Sequence, residues 1–150
     1  MKVSTLVIVG VIFSISCNAQ SKKIVFVCEH GSAKSVIAAA YFNKLAKEKN
    51  LPYEAVARGT DPDTVISVKT KQLLIRENLF DKHFVPQRLS QQDVDGAQQV
   101  ILFYTLPQNI KDKNNIQYWM GVDAVNGDFV RLKNDILAKL IPLIDSLSKQ

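Results

Sequence analysis

The sequence predicts a three-layer α/β fold, in which a four-stranded parallel sheet carries helices on both faces. Apolar runs typical of buried strands alternate along the chain with patterns of helical spacing, and this alternation favours parallel strands joined by helices. The composition is 47% hydrophobic and 22% charged, which indicates a folded globular protein rather than a disordered one. A length of 150 residues allows one domain with a normal core.

The first strand and helix are predicted within residues 22–49. An apolar run at residues 24–27 suits a strand buried on both faces, and Cys28 stands at its end. Residues 29–34 then form a short loop. Apolar residues spaced three and four apart follow the loop, and they predict a helix that ends before Pro52.

Three further strands are predicted, at residues 53–58, 100–104 and 116–120. A turn signal, Gly59 to Pro62, follows the first of these. We expect a helix over residues 67–78, with Val68, Gln72, Ile75 and Leu79 on one face.

Two more helices complete the predicted fold. Ser90 is expected to cap a short helix through Asp93, three residues on. A long helix begins near Gly127, and Pro142 within it is expected to bend it or end it early.

The first 19 residues read as a signal peptide that is removed, which leaves residues 20–150 as one exported domain. Lys2 supplies a positive end, residues 3–15 are apolar but too short to span a bilayer, and small residues precede a cleavage point after Ala19. The exported protein is then periplasmic or secreted, with no stable membrane span. Two alternatives remain open: a retained membrane anchor and lipid attachment at Cys17.

The charge and the residue types exclude several partners. Cleavage removes only Lys2 among the charged residues, which lowers the formal net charge from +5 to +4. This mild excess suits small anions, and the absence of interleaved aromatic and basic residues argues against nucleic acid. Two histidines and one remaining cysteine do not make a metal site, so we expect no metal and no cofactor.

The turn after the first strand has the features of an anion-binding site. Strand, short loop and helix start bring free N–H groups together, and the helix dipole adds partial positive charge. A thiol held there is favoured to ionise, and a thiolate is a nucleophile. Cys28 is the only cysteine left after cleavage, so it is a candidate nucleophile. The alternative is a buried, inert cysteine.

Residues 28–35, CEHGSAKS, resemble the phosphate loop of low-molecular-weight protein tyrosine phosphatases and of the arsenate reductases that share their fold. That pattern is Cys, five residues, Arg and Ser directly after the first strand. Cys28 and Ser35 match it, and Lys34 stands where the family has arginine. The resemblance implies a flavodoxin-like sheet.

The resemblance extends over about residues 22–148. Residues 57–60 are similar to the family's small-Gly-Thr turn after the second strand, and Leu89-Ser90 ahead of Asp93 also fits. Asp123 falls where the family has its general acid, with Ala124 in place of the usual proline.

The resemblance implies a set of site residues. Cys28 would be the nucleophile that carries a phosphocysteine, Lys34 would supply charge, and Asp123 would act as general acid and then as general base. Ser35 would donate its hydroxyl to the sulfur. The residues expected to bind substrate are Glu29, His30, Gly31, Ser32, Ala33, Ser35 and Arg58.

Three of these residues have alternatives. Arg58 ends the strand expected beside that of Cys28, so it is a candidate for the bidentate contact that Lys34 cannot make, or it is simply exposed. His30 is either an imidazolium that supports the thiolate or a surface residue. Glu29 is expected to point away from the anion and to pair with a base.

The predicted function is hydrolysis of phosphate monoesters through a cysteinyl-phosphate, on a phosphorylated small molecule or a phosphotyrosine peptide. One alternative is arsenate reduction, for which an external thiol is needed because residues 104–115 contain no cysteine. The other is a module that binds phosphate or arsenate in a catalytically weakened loop.

Overall fold

A computed structural model describes residues 21–123 and 125–150. The predicted signal segment and Ala124 lie outside these residues, so the cleavage after Ala19 stays a prediction. Within the two described ranges, no helix is long and apolar enough to cross a membrane.

Four strands form one fully parallel sheet, in the order β2-β1-β3-β4. The strands are β1 (Lys22–Cys28), β2 (Tyr53–Gly59), β3 (Ala97–Leu102) and β4 (Ile116–Tyr118). The helices are α1 (Lys34–Glu48), α2 (Val68–Arg76), α3 (Gln91–Gly96) and α4 (Phe129–Leu147), with a 3-10 turn at Val125–Gly127 before α4. This arrangement confirms the predicted α/β fold with a four-stranded parallel sheet.

The side chains of β1 divide the core into two parts, because successive residues of a strand point to opposite faces. Ile24, Phe26 and Cys28 lie in the larger cluster, which α1 and α4 cover. Val25 and Val27 lie in the smaller cluster, which includes Val94 of α3. Helical layers on both faces are therefore present, as the alternating pattern predicted.

The last helix, α4, continues through Pro142 and is not ended by it. Its buried side chains recur three and four residues apart, namely Leu132, Ile136, Leu140, Ile144 and Leu147. Pro142 lies on the exposed side of the helix, and the buried row on either side of it keeps the helix on the sheet. The helix begins at Phe129, where the Asp128 carboxylate accepts hydrogen bonds from the amides of Val130 and Arg131.

Candidate active site

The candidate site lies at the carboxyl-terminal edge of the sheet, where β1 and β2 both end. The parallel register pairs Cys28 with Gly59, so the loop after β1 and the loop after β2 leave the sheet side by side. Ligands of open α/β sheets bind at this edge. We call residues 28–35 the Cys28 loop and residues 60–67 the bracing segment.

Four carbonyl groups of the Cys28 loop accept hydrogen bonds from the bracing segment. The carbonyls of Cys28, Glu29, His30 and Ser32 bind the amides of Thr60, Asp61, Asp63 and Ser67 at 3.0, 2.8, 2.9 and 3.1 Å, respectively. In the described part of the chain, no backbone N–H of residues 29–36 donates a hydrogen bond. The loop therefore turns its carbonyls outward and keeps its N–H groups available, which is the arrangement of an anion-binding nest.

Two glycines allow the Cys28 loop and the end of β2 to approach closely. Gly31 has φ of +60°, and a Cβ added there would lie 2.9 Å from the backbone nitrogen of Gly59. A Cβ at Gly59 would lie 2.9 Å from the backbone nitrogen of Gly31. Neither position tolerates a side chain without moving the loop. Nearby, the Ser32 hydroxyl donates a hydrogen bond to the Asp63 carboxylate, which adds a side-chain contact between the Cys28 loop and the bracing segment.

Cys28 and Ser35 meet at the base of the loop. The Cys28 Sγ lies 3.1 Å from the Ser35 Oγ, and the two residues are 3% and 0% exposed. A hydroxyl at this distance can donate to a sulfur anion, which is the geometry that the resemblance implied for this pair.

Lys34 and Asp123 are brought together although 89 positions separate them. The Lys34 Nζ lies 2.8 Å from the Asp123 Oδ1, and their side chains are 25% and 67% exposed. The first turn of α1 presents the lysine, and the chain after β4 presents the carboxylate. In this state the Lys34 ammonium is paired with the Asp123 carboxylate, although an incoming oxyanion would need that ammonium as its own partner.

Arg58 does not lie at the Cys28 loop, contrary to the expectation from the sequence. Its Nη2 lies 2.9 Å from the Asp93 Oδ1, and its Nη1 donates to the Ala57 carbonyl at 2.9 Å. The two strands are neighbours as predicted, but Arg58 pairs in register with Val27, whose side chain points to the face opposite Cys28. A difference of one residue along a strand reverses the face.

The Arg58–Asp93 pair instead joins β2 to α3. Burial on its own would raise the pKa of Asp93, but hydrogen bonds from Arg58 and Ser90 and the Arg58 charge outweigh it and hold that pKa below the ordinary carboxyl value. Ser90 and Asp93 form the predicted capping box, since the Ser90 side chain binds the Asp93 amide and the Asp93 carboxylate binds the Ser90 amide. The pair is therefore structural.

Glu29 and His30 are exposed on the outer side of the loop. The His30 ring nitrogens lie 3.7 Å from carboxylate oxygens of Glu29 and of Asp63. Glu29 thus has a basic neighbour, as expected. Among the residues that the structure describes, no cluster of three or more His, Cys, Asp or Glu side chains is suited to a metal ion.

Neither the bracing contacts nor the role of Asp63 was predicted from the sequence. The turn signal at Gly59 to Pro62 located a loop, but which amide meets which carbonyl depends on how the ends of β1 and β2 align. Gly59 at the end of β2 and Gly31 shortly after β1 are the features of the sequence that pointed to a close approach.

No protein-family model matches the chain, and no curated protein matches it. Solved structures do. YfkJ from Bacillus subtilis superposes with a TM-score of 0.76 at 21% identity, covering 88% of this chain and 98% of that one. A low-molecular-weight protein tyrosine phosphatase from T. tengcongensis gives 0.68 at 22% identity, covering 85% and 97%. An arsenate reductase from Archaeoglobus fulgidus gives 0.66 at 22% identity, covering 81% and 98%. The chain has the fold of these phosphatases and arsenate reductases, as its Cys28 loop predicted.

Proposed function

We propose that this chain is a phosphoric monoester hydrolase in which Cys28 attacks phosphorus and forms a cysteinyl-phosphate. One observation carries the proposal: the Cys28 Sγ lies 3.1 Å from the Ser35 Oγ, at the base of a loop that keeps its N–H groups free. Nucleophile, hydroxyl and anion nest are the parts that this chemistry requires. The solved relatives with this fold include proteins named as phosphatases.

In the first step the Cys28 thiolate attacks phosphorus, and the bond from phosphorus to the ester oxygen breaks. Asp123, protonated in the second step of the preceding turnover, gives that proton to the oxygen, so the leaving group departs as a neutral alcohol or phenol. The free N–H groups of the loop and the Lys34 ammonium hold the three non-bridging oxygens, whose charge they are positioned to balance.

In the second step water attacks the phosphocysteine, and Asp123 takes the proton that the water releases. The sulfur–phosphorus bond breaks and its electron pair returns to Cys28. Ser35 donates to the departing sulfur, which stabilises the thiolate as it re-forms. Inorganic phosphate then leaves the loop.

Lys34 makes the proposed reaction slower than an arginine would. A guanidinium binds two phosphate oxygens with a planar fork, whereas an ammonium offers a compact point charge. Lys34 must also exchange Asp123 for the substrate, and Arg58 is held by Asp93 and supplies no replacement fork. The alternative of a weakened oxyanion-binding module rests on these two contacts, and turnover distinguishes it from the hydrolase.

The deciding experiment is hydrolysis of 4-nitrophenyl phosphate by residues 20–150, with Cys28→Ser as the matched variant. We expect turnover that the serine variant lacks, with inorganic phosphate as a competitive inhibitor. Phosphate binding without turnover would favour the binding module. Equal turnover by both proteins would exclude Cys28 as the nucleophile.

Arsenate reduction is the second candidate, supported by the shared fold of a solved arsenate reductase. An external thiol is required, because Cys28 is the only cysteine among the described residues. The Cys28 thiolate would displace hydroxide from arsenate, and an outside thiol would attack the Cys28 sulfur. Arsenic would leave as arsenite with the electron pair of the sulfur–arsenic bond, and a second thiol would reduce the mixed disulfide. Arsenite release that requires added thiol, with no hydrolysis of aryl phosphate, would select this candidate.

For substrate and location we propose a phosphorylated small molecule or a phosphotyrosine peptide, met outside the cytoplasm after removal of residues 1–19. Sequencing the amino terminus of protein recovered from its source should give a start near Gln20. A lipid-modified Cys17 or an intact Met1 would contradict cleavage after Ala19.

A further inference from the structure

We infer that Lys69, on α2, is a positioning residue that fixes the segment carrying Asp123. The Lys69 Nζ donates to the Gly127 carbonyl at 3.3 Å and lies 5.7 Å from the centre of the Phe129 ring. Both contacts fall between Asp123 and the first turn of α4. The inference rests on the proposed function, because it concerns the general acid of that reaction.

The backbone after Asp123 turns sharply, and the turn brings it against Lys69. Asn126 and Gly127 both have positive φ, 54° and 72°, so two consecutive left-handed residues reverse the chain. A Cβ at Gly127 would lie 2.6 Å from the Lys69 Nζ. Glycine at this position therefore leaves the space that the ammonium occupies.

The Asp123 segment is held at both ends. Buried Val122 precedes it, and Asp128 follows as the cap of α4. Between these ends, two lysines from elsewhere in the chain contact the segment. Lys34 contacts Asp123, and Lys69 contacts Gly127.

The two lysines have different roles when a phosphate monoester binds. The Lys34 ammonium leaves Asp123 and binds the phosphate group of the substrate in the Cys28 loop. Asp123 then has lost its ion-pair partner. Lys69 lies on α2 and keeps its contacts with Gly127 and Phe129. It then remains as the side-chain anchor that holds the carboxyl group over the leaving oxygen.

The expected effect is modest, because Lys69 is exposed. An exposed cation–π contact shifts an equilibrium by about two- to fivefold. Lys69→Ala should therefore misplace Asp123 part of the time, which affects protonation of the leaving group and not the attack of Cys28.

The test compares kcat/KM for phenyl phosphate, whose leaving group needs a proton, with kcat/KM for 4-nitrophenyl phosphate, whose leaving group needs it less. Lys71→Ala is the matched control, since Lys71 is on the same helix and lies over a different ring, Phe80, at 5.4 Å. It removes the same charge without touching the Asp123 segment.

We expect Lys69→Ala to lower kcat/KM for phenyl phosphate about fivefold and to change the 4-nitrophenyl value less than about twofold. Lys69→Arg should restore most of the loss, and Lys71→Ala should change neither substrate. An equal loss on both substrates would mean that Lys69 only attracts anions, and no loss on either would mean that it positions nothing. Both outcomes overturn the inference.

A second measurement separates this inference from the proposed function. Amide hydrogen exchange of residues 126–128 should be faster in Lys69→Ala than in Lys71→Ala, whether or not the protein hydrolyses anything. Unchanged exchange would overturn the positioning role. Absence of turnover in the unmodified protein, with the exchange difference present, would overturn the proposed function alone.

Discussion

Asp123→Asn is the most informative substitution, because the account predicts opposite effects on binding and on turnover. Asparagine keeps the size of the side chain and removes its charge. The Lys34 ammonium, now 2.8 Å from the carboxylate, is then released for the anion. Phosphate binding should tighten while hydrolysis slows.

The magnitudes follow from the exposure of the pair. With 67% of the Asp123 side chain exposed, the ion pair contributes about 0.2–1 kcal/mol, so its loss should tighten phosphate binding by up to about fivefold. Loss of a general acid costs about 10²–10⁴-fold in rate. The loss should be largest for phenyl phosphate, whose leaving group depends on the proton.

Phosphate binding is measured by calorimetry on the free protein, and turnover is measured with the two aryl phosphates. Asp145→Asn is the matched control, since Asp145 forms an ion pair of similar length, 2.9 Å, with Lys49 and its side chain is 50% exposed. This control should change neither quantity. Weaker phosphate binding in Asp123→Asn would refute the competition between carboxylate and anion. Unchanged turnover would remove Asp123 from the mechanism.

Three further predictions concern the loop and its support. Lys34→Arg should raise turnover more than it tightens phosphate binding, because the planar guanidinium keeps its contacts with the phosphate oxygens in the transition state. The change in kcat/KM, compared with the change in the phosphate inhibition constant, tests this prediction. Asp93→Asn should cost about 2 kcal/mol of unfolding free energy at neutral pH by loss of the hydrogen bonds from Arg58. Folding lowers the pKa of Asp93, so the stability that the Asp93 carboxylate contributes is complete above the ordinary pKa of about 3.9. That stability should vanish as pH falls through the lowered pKa. Chemical unfolding at acid pH tests this. Gly31→Ala should abolish phosphate binding while the protein stays folded by circular dichroism, since the added methyl would lie 2.9 Å from the Gly59 nitrogen.

The sheet could be predicted because β1 and the second half of β3 are apolar runs, and the interleaved helices leave few alternatives. The β1 strand ends at Cys28 as expected, and Ser90 caps α3 as expected. The face of α2 predicted from Val68, Gln72 and Ile75 is the exposed one: Val68 and Ile75 are 70% and 50% exposed, while Leu73 and Leu74 are buried. A helix of nine residues contains too few turns for spacing alone to identify its buried side.

The chemistry of the site could be predicted only where its residues lie close together in the sequence. Cys28 and Ser35 lie seven residues apart on one strand–loop–helix unit, so local structure fixes their contact. Arg58, Asp93 and Lys69 depend on strand register and helix packing across the molecule, and nothing local encodes those. The Lys34–Asp123 contact lies between the two cases, since the resemblance indicated both residues but not that they bind each other.

The central claim is that Cys28 carries the phosphoryl group. Mixing the protein with an aryl phosphate, quenching it in denaturant at neutral pH and mapping the adduct by mass spectrometry tests this claim directly. The account predicts one phosphoryl group on Cys28, absent when phosphate blocks the loop and absent in Cys28→Ala. An adduct on His30, or hydrolysis that persists in Cys28→Ala, would contradict it.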